Sequence, residues 1–490
     1  MSSKKIFTTA GLLILSMAAV SYAKLANSQK TRPYIKATYA IPDALIPADA
    51  LSTAEQSLSQ LIYQGLFKIN GRMEVVTDLA ESWRYDSDRR IYRIRLKSKV
   101  SFHDNSQLLL SDVVESLQYL FTRSKHSHIY SNVLSVAGSG IDEIQIQLKE
   151  EQSYFLSLLA APHAKIWKHS ELSKFPLGTG PFIPEPQKVN GTLKLERFEG
   201  LVGSDKPLLK EIVLTEMSEA EMRSKLTRDL IDDSVDLPLS RPIESAPALK
   251  MLESPAAITW LIAFNTQNKI LSRVENRRCL ANLFDRKSFI KRFVPSHTEA
   301  MGYLPKSLPG SRVTSKIPES SCDGLVNKSL KLLVPRELEG AQEMCSFIPS
   351  QWHSSGLRVD CEVVDFDLLL KSVENKEHEM VLIGMSMDFP DVEYFLNTFE
   401  RGSKFNLSNF KNDLVEELLR KSRRAKDKTE RHKLYSHIND ILYRDAVTLN
   451  ISYPRYIAYA SKCVEGLDLN VAGVAYTDYS AVYFGQLCHE

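Results

Sequence analysis

Hydrophobic and polar positions change period repeatedly along this chain, and the changes mark its elements. Residues 92–96 (Tyr-Arg-Ile-Arg-Leu) alternate strictly, as a half-buried strand does, and residues 141–148 do the same. Apolar Leu58, Leu61 and Ile62 recur at helical spacing within residues 56–63. Gly65 follows, able to take the positive φ that a helix exit often needs. Residues 66–69 are extended and turn at Asn70-Gly71, and residues 79–83 (Leu-Ala-Glu-Ser-Trp) precede the hairpin that holds 92–96. Ser111 is placed to cap the next helix, with Asp112 favourable in its first turn. Further strands are predicted at 33–40, 193–197, 212–215 and 258–265, and helices at 154–159, 219–230 and 274–281. A strand–helix–strand unit spans 329–334, 343–352 and 357–363, and 381–384 and 449–453 are strands. Residues 413–419 and 429–444 form amphipathic helices, and β segments return from Arg455. The mixture is that of an α/β protein, with no internal repeat and no low-complexity linker.

At 490 residues the chain exceeds one hydrophobic core, so two or more lobes are expected. Its 43% hydrophobic and 25% charged residues are ordinary for a soluble globular protein. A net charge of +2 gives no electrostatic case for nucleic acid, whose footprint needs a clustered basic surface, and no nucleic-acid partner is expected. The short basic run 420–428, interrupted by Asp427, reads as a solvated helix face. Residues 1–23 have the parts of a secretory signal: Lys4-Lys5, an apolar run over 6–20, and small Ser21 and Ala23. The apolar run is shorter than the ~20 residues a span requires, and Thr8, Thr9 and Ser16 interrupt it. Cleavage is expected after Ala23. No cysteine follows closely enough for a lipid anchor, so the mature chain is expected to be a soluble periplasmic protein.

In that oxidising compartment the six cysteines are candidates for disulfides. Cys463 with Cys488 and Cys345 with Cys361 are the first pairs to test, with one or two bridges expected and the remainder buried thiols. None forms a CxxC or stands beside a histidine at zinc spacing. His126 and His128 lack a third ligand and read as loop residues. Gly178 and Gly180 are followed by Pro181 and an alternating segment where a dinucleotide site needs a helix. Asp232-Asp233 and Asp236 read as a solvated helix end, since nothing nearby supplies the buried, asymmetric setting of a catalytic dyad. Ala137-Gly138-Ser139-Gly140 lacks the first glycine of a nucleophile elbow, and the zincin and P-loop patterns are missing. No enzyme, cofactor or metal site is expected.

Several stretches carry a more specific signal. Tyr63-Gln64-Gly65-Leu66, the 79–83 segment, Val-Ser-Phe-His-Asp-Asn at 100–105, and Ser-Asp-Val-Val-Glu-Ser-Leu at 111–117 occur in order. Pro-Leu-Gly-Thr-Gly-Pro-Phe at 176–182, residues 258–266, the helix from Val274, and Asp285-Arg286 continue the series. Together they resemble the periplasmic oligopeptide- and dipeptide-binding receptors of ABC importers, extracellular solute-binding protein family 5.

The resemblance implies an α/β fold of the type II periplasmic-binding-protein kind: two αβ lobes with a hinge, and an extra domain inserted in the first. Lobe one would comprise 24–49, 174–257 and 455–490, the insert 50–173, and lobe two 258–454, with hinges near Ala257 and Pro454. It implies a monomeric receptor that captures peptides by clamp closure and delivers them to ABC permease subunits. A non-transport sensor on the same fold, or a receptor for a nickel complex, haem or sugar, are the alternatives. By resemblance Asp388 would meet a peptide's α-amino group with Phe389 beside it, and Asp391 holds the following acidic place. Leu51, Ser52, Thr53, Gly384, Met385 and Ser386 would hold the ligand's backbone, and Tyr130 and Tyr453 would face the cleft. Met385 stands where the family has Trp, Ile46 replaces an Asp, and Val392 replaces a Pro.

Overall fold

Strands with alternating apolar residues gather into three main sheets in the computed structural model, which describes residues 32–170, 172–201, 206–237, 242–243, 247–386, 391–403, 406–425 and 427–485. The seven-stranded sheet runs in the order Leu249–Pro255, Arg455–Ser461, Asp233–Asp236, Tyr34–Thr38, Glu211–Glu216, Thr192–Arg197, Phe182–Pro184. Tyr34–Thr38 is parallel to both its neighbours. Helix Thr53–Ile62 lies on this sheet and buries Leu58, Leu61 and Ile62 with Tyr34, Leu193 and Ile212.

The six-stranded sheet runs Thr298–Glu299, Thr448–Tyr453, Ile258–Phe264, Met380–Ser386, Ser329–Pro335, Arg358–Val364. Both its faces are covered. Leu261 and Ala263 pack toward the helices Asp413–Arg424 and Lys428–Arg444, while Ile262 and Phe264 pack toward Phe289 and Trp352. Burial on both faces is the reason that this strand reads as a continuous apolar run. The third sheet, all antiparallel, runs Ala80–Asp86, Ile91–Leu96, Glu143–Leu148, Val133–Ser139, and carries helix Leu110–Thr122.

The chain passes between the two large sheets at Ala256-Ala257 and again at Pro454. The passages lie side by side: Ala256 N–H donates to Pro454 O at 3.1 Å. Arg455 pairs with Glu253 and donates through Nε to Ser296 O at 3.0 Å.

Several local expectations change. Gly65 does not take a positive φ; a Cβ there would stand 2.9 Å from both Ala164 O and Phe67 O, so backbone crowding requires the glycine. Gly178 and Gly180 meet the same need, since a Cβ on Gly180 would lie 2.5 Å from the Ile62 carbonyl carbon. Residues 80–83 lie within the hairpin's first strand. Helix Leu110–Thr122 begins before Ser111, and the Asp112 carboxylate accepts from Leu109 N–H at 2.8 Å. Asp285 caps the following helix, Arg286–Phe293, rather than ending the previous one. Edge strand Val133–Ser139 was not predicted, because its exposed Leu134 and its glycine break the alternation.

The acidic stretch 232–236 is the largest correction. Asp233–Asp236 is an interior strand, and Asp232, Asp233 and Asp236 are buried. The compensating charge comes from the start of the chain. Lys36, fully buried, lies 2.9 Å from Asp236 and 3.7 Å from Asp233, and donates to Tyr479 Oη at 2.6 Å. Tyr34 donates to Asp233 at 2.7 Å, Ser57 donates to Asp236 at 2.7 Å, and Arg32 pairs with Asp232. Burial raises Asp236, and Lys36 opposes the rise.

The cysteines meet expectation at one pair, Cys345–Cys361, and depart from it at another. Cys279 bonds Cys322 and Cys345 bonds Cys361. Cys463 is disulfide-bonded too, and no free thiol stands among the described residues. Cys488 and the signal segment 1–23 lie outside the described residues.

Candidate functional site

The approach to helix Thr53–Ile62 and the end of strand Met380–Ser386 carry six of the ten expected binding residues. Ser52 caps the helix: its Oγ accepts from Glu55 N–H at 3.2 Å, and the Glu55 carboxylate accepts from the N–H groups of Leu51 and Ser52 at 2.9 and 2.8 Å. Burial pushes Glu55 up, but these bonds bring it below its ordinary range. The backbone donors at 51–52 are therefore occupied within the helix cap. The segment presents instead the Leu51 side chain, 56% exposed, and Thr53. Ser57, one turn further on, ties the helix to Asp236 and so to the seven-stranded sheet.

Behind this segment, His126 Nε2 lies 2.8 Å from Ala50 O, and its ring stacks on His163 with centroids 3.9 Å apart. His126 lies, as expected, in the turn that leads into the 3-10 segment Ser127–Tyr130, but it is buried there and packs rather than facing solvent. Burial holds His163 well below the usual imidazole range. Tyr130, expected in the cleft, is a core residue: it is buried against Phe121, donates to Leu158 O at 2.9 Å and approaches His163 Nε2 at 3.0 Å. Tyr453 is buried as well. Its hydroxyl donates to Gly302 O at 2.9 Å and accepts from Met301 N–H at 3.1 Å, so it locks the end of its strand and does not face a ligand.

Gly384, Met385 and Ser386 end their strand opposite Trp260, Thr259 and Ile258, beside the passage at Ala257. A Cβ on Gly384 would meet the Trp260 indole at 3.2 Å, so the glycine makes room for that ring. Met385 packs toward the helical face of the sheet, and Ser386 is exposed. Asp388 and Phe389 lie outside the described residues.

Sequence reasoning missed the seam that this strand leads into. Asp391 caps helix Val392–Asn397 and accepts from Glu393 N–H at 2.8 Å. From the four-stranded body, Ser157 donates to Asp391 at 3.1 Å and Ser153 hydrogen-bonds Glu393. Arg423 donates to Glu393 at 2.8 Å and to Glu400 at 2.7 Å, so this member of the basic run is turned inward rather than solvated. Met73, beyond strand Phe67–Ile69, packs against the same helical core. Burial first, then the Asp391 charge, raises Glu393 to about 7, and burial raises Asp391. The Asp-x-Glu spacing was visible in the sequence, but its serine partners lie 234 and 240 residues away.

A cavity of about 900 Å³ lies elsewhere, between helix Leu110–Thr122 and strand Val133–Ser139, and includes none of the expected residues. Among the described residues no cluster of three His, Cys, Asp or Glu side chains is arranged to hold a metal, and no helix is long and apolar enough to cross a membrane.

Two α/β bodies joined by paired strand passages, with a smaller sheet domain set against them, define a type II periplasmic binding protein fold. The chain belongs to the bacterial extracellular solute-binding proteins, family 5, whose profile matches residues 74–406. That is a family of binding proteins rather than enzymes. The chain is 22% identical over 492 aligned residues to the glutathione-binding protein GsiB of Escherichia coli (strain K12), covering 93% of this chain and 95% of that protein. It matches HbpA2 from Haemophilus parasuis with a TM-score of 0.82 at 19% identity, covering 92% of this chain and 100% of that one. With DppA from Helicobacter pylori, solved in complex with peptide STSA, the TM-score is 0.72 at 20% identity, covering 93% and 98%.

Proposed function

We propose that this chain is a periplasmic receptor that closes two lobes over a peptide and presents it to an ABC permease. The observation that carries the reading is the pair of adjacent passages at Ala256-Ala257 and Pro454, joined by one backbone hydrogen bond. Two short antiparallel connections let rigid bodies swing together without opening either core. In this reading lobe one is 24–49, 174–257 and 455–490, the insert is 50–173 and lobe two is 258–454. The signal is removed after Ala23. A relative that binds glutathione and a fold neighbour solved with a tetrapeptide support a peptide ligand.

The anchor in this reading is Asp388. A receptor that accepts varied side chains must draw affinity from what all peptides share. Backbone hydrogen bonds contribute about 0.5–1.5 kcal/mol each, and the terminal ammonium supplies the fixed charge. Removing one partner of a desolvated pair costs roughly 2–5 kcal/mol. Native mass spectrometry of the exported protein identifies the copurifying ligand; a nickel complex, haem or sugar there overturns the peptide reading. Calorimetry then compares wild type and Asp388→Asn with the free-amine peptide and its N-acetyl form. Each change alone should weaken binding about tenfold or more, and both together less than the sum. Additive losses, or no loss in Asp388→Asn, remove the amine anchor.

A further inference from the structure

Resting on the clamp reading above, we propose that Asp391 and Glu393, held by Ser157 and Ser153, form a proton-linked latch that favours the shut clamp as pH falls. The two carboxylates sit at the start of helix Val392–Asn397 and reach across the seam to two hydroxyl groups on the insert. Among the described residues the insert brings no cation to them: the insert groups that act on them are Ser153, Ser157 and Tyr154. From lobe two, Arg423 contacts Glu393 but divides its charge with Glu400. Helix Lys428–Arg444 contributes Tyr435, with Arg431 acting on Asp391 at longer range. With the seam closed, carboxylates outnumber the guanidinium in contact with them, and water is excluded from Glu393, which is fully buried.

Opening returns both carboxylates to water, where they ionise in the ordinary range. Closing therefore takes up a proton. Glu393 is raised to about 7 in the closed seam, against 4.5 when unperturbed. A group whose affinity for protons is higher in one state stabilises that state as pH falls through the raised value. The shut-to-open ratio should thus rise by about tenfold between pH 8 and pH 6, the linkage expected for one such carboxyl.

Pulsed electron resonance on the whole mature chain tests this, with nitroxides on noncanonical residues replacing exposed Ile141 in the insert and Leu368 in lobe two. The probes are trialanine and glutathione, each measured beside the ligand-free protein at pH 6 and pH 8. The ratio of the short- to the long-distance population should grow about tenfold from pH 8 to pH 6 in wild type and stay nearly level in Glu393→Gln. Ser153→Ala should lower that ratio at both pH values while keeping the pH slope, so the latch is tested even where Glu393→Gln fails to fold. Peptide-driven shortening that is the same at pH 6 and pH 8 overturns the latch and leaves the clamp intact. A single distance distribution in wild type under every condition overturns both.

Discussion

Gly180 shows how a motif residue acts through space rather than through its own torsion. Its backbone lies against the last turn of helix Thr53–Ile62, and a Cβ would stand 2.5 Å from the Ile62 carbonyl carbon. Gly180→Ala should therefore destabilise the protein by about 2–3 kcal/mol in urea denaturation, the usual cost of overpacking. Gly71→Ala, with nothing within 4 Å, serves as the neutral control. Lys36 is the second residue on which much rests. Lys36→Met leaves Asp233 and Asp236 buried without their cation, and a loss of roughly 3–5 kcal/mol is expected in the same measurement. Arg32→Ala, whose side chain is 43% exposed, should cost far less, because solvent screens its pair with Asp232. A Lys36→Met variant as stable as wild type would show that the network is not needed for folding.

The disulfides act between elements. Cys345–Cys361 ties helix Ala341–Ser350 to strand Arg358–Val364, closing 16 residues, and Cys279–Cys322 ties helix Val274–Leu283 to the turn Asp323–Leu325 across 43. On the chain-entropy account, closing loops of these sizes contributes about 3 and about 4 kcal/mol. Replacing Cys279 and Cys322 together by serine should therefore lower the unfolding midpoint more than replacing Cys345 and Cys361. Equal midpoints would place the stabilisation in native packing instead. The sequence pointed to Cys345–Cys361 through nearness alone. It missed Cys279–Cys322 because that contact depends on how residues 294–322 return to their helix.

At the scale of the molecule, the clamp should respond to ligand as two bodies. Small-angle scattering should show a smaller radius of gyration with saturating peptide, since the passages at Ala256-Ala257 and Pro454 allow rotation while each sheet keeps its own core. Binding without a change in radius would overturn the clamp reading for this protein. The latch and the clamp meet here. The seam that would close over a ligand is also where the buried carboxylates Asp391 and Glu393 cross from one body to the other.

What the sequence determined by itself was the content of short windows. Alternation located strands at 92–96 and 141–148, the second beginning two residues later in the structure, the apolar run located the doubly covered strand Ile258–Phe264, and ordered motifs identified the family. Periodicity and local wording survive in such windows because each reports one element's own faces. The tertiary structure decided which distant side chains share a buried space. Asp233 and Asp236 read as solvated until Lys36 arrives from the start of the chain, and Tyr130 and Tyr453 read as cleft residues until carbonyls of other segments take their hydroxyls. Glu393 becomes a candidate switch only when Ser153 meets it across the seam. Burial and charge pairing depend on three-dimensional neighbours, and the spacing of residues along the chain does not carry them.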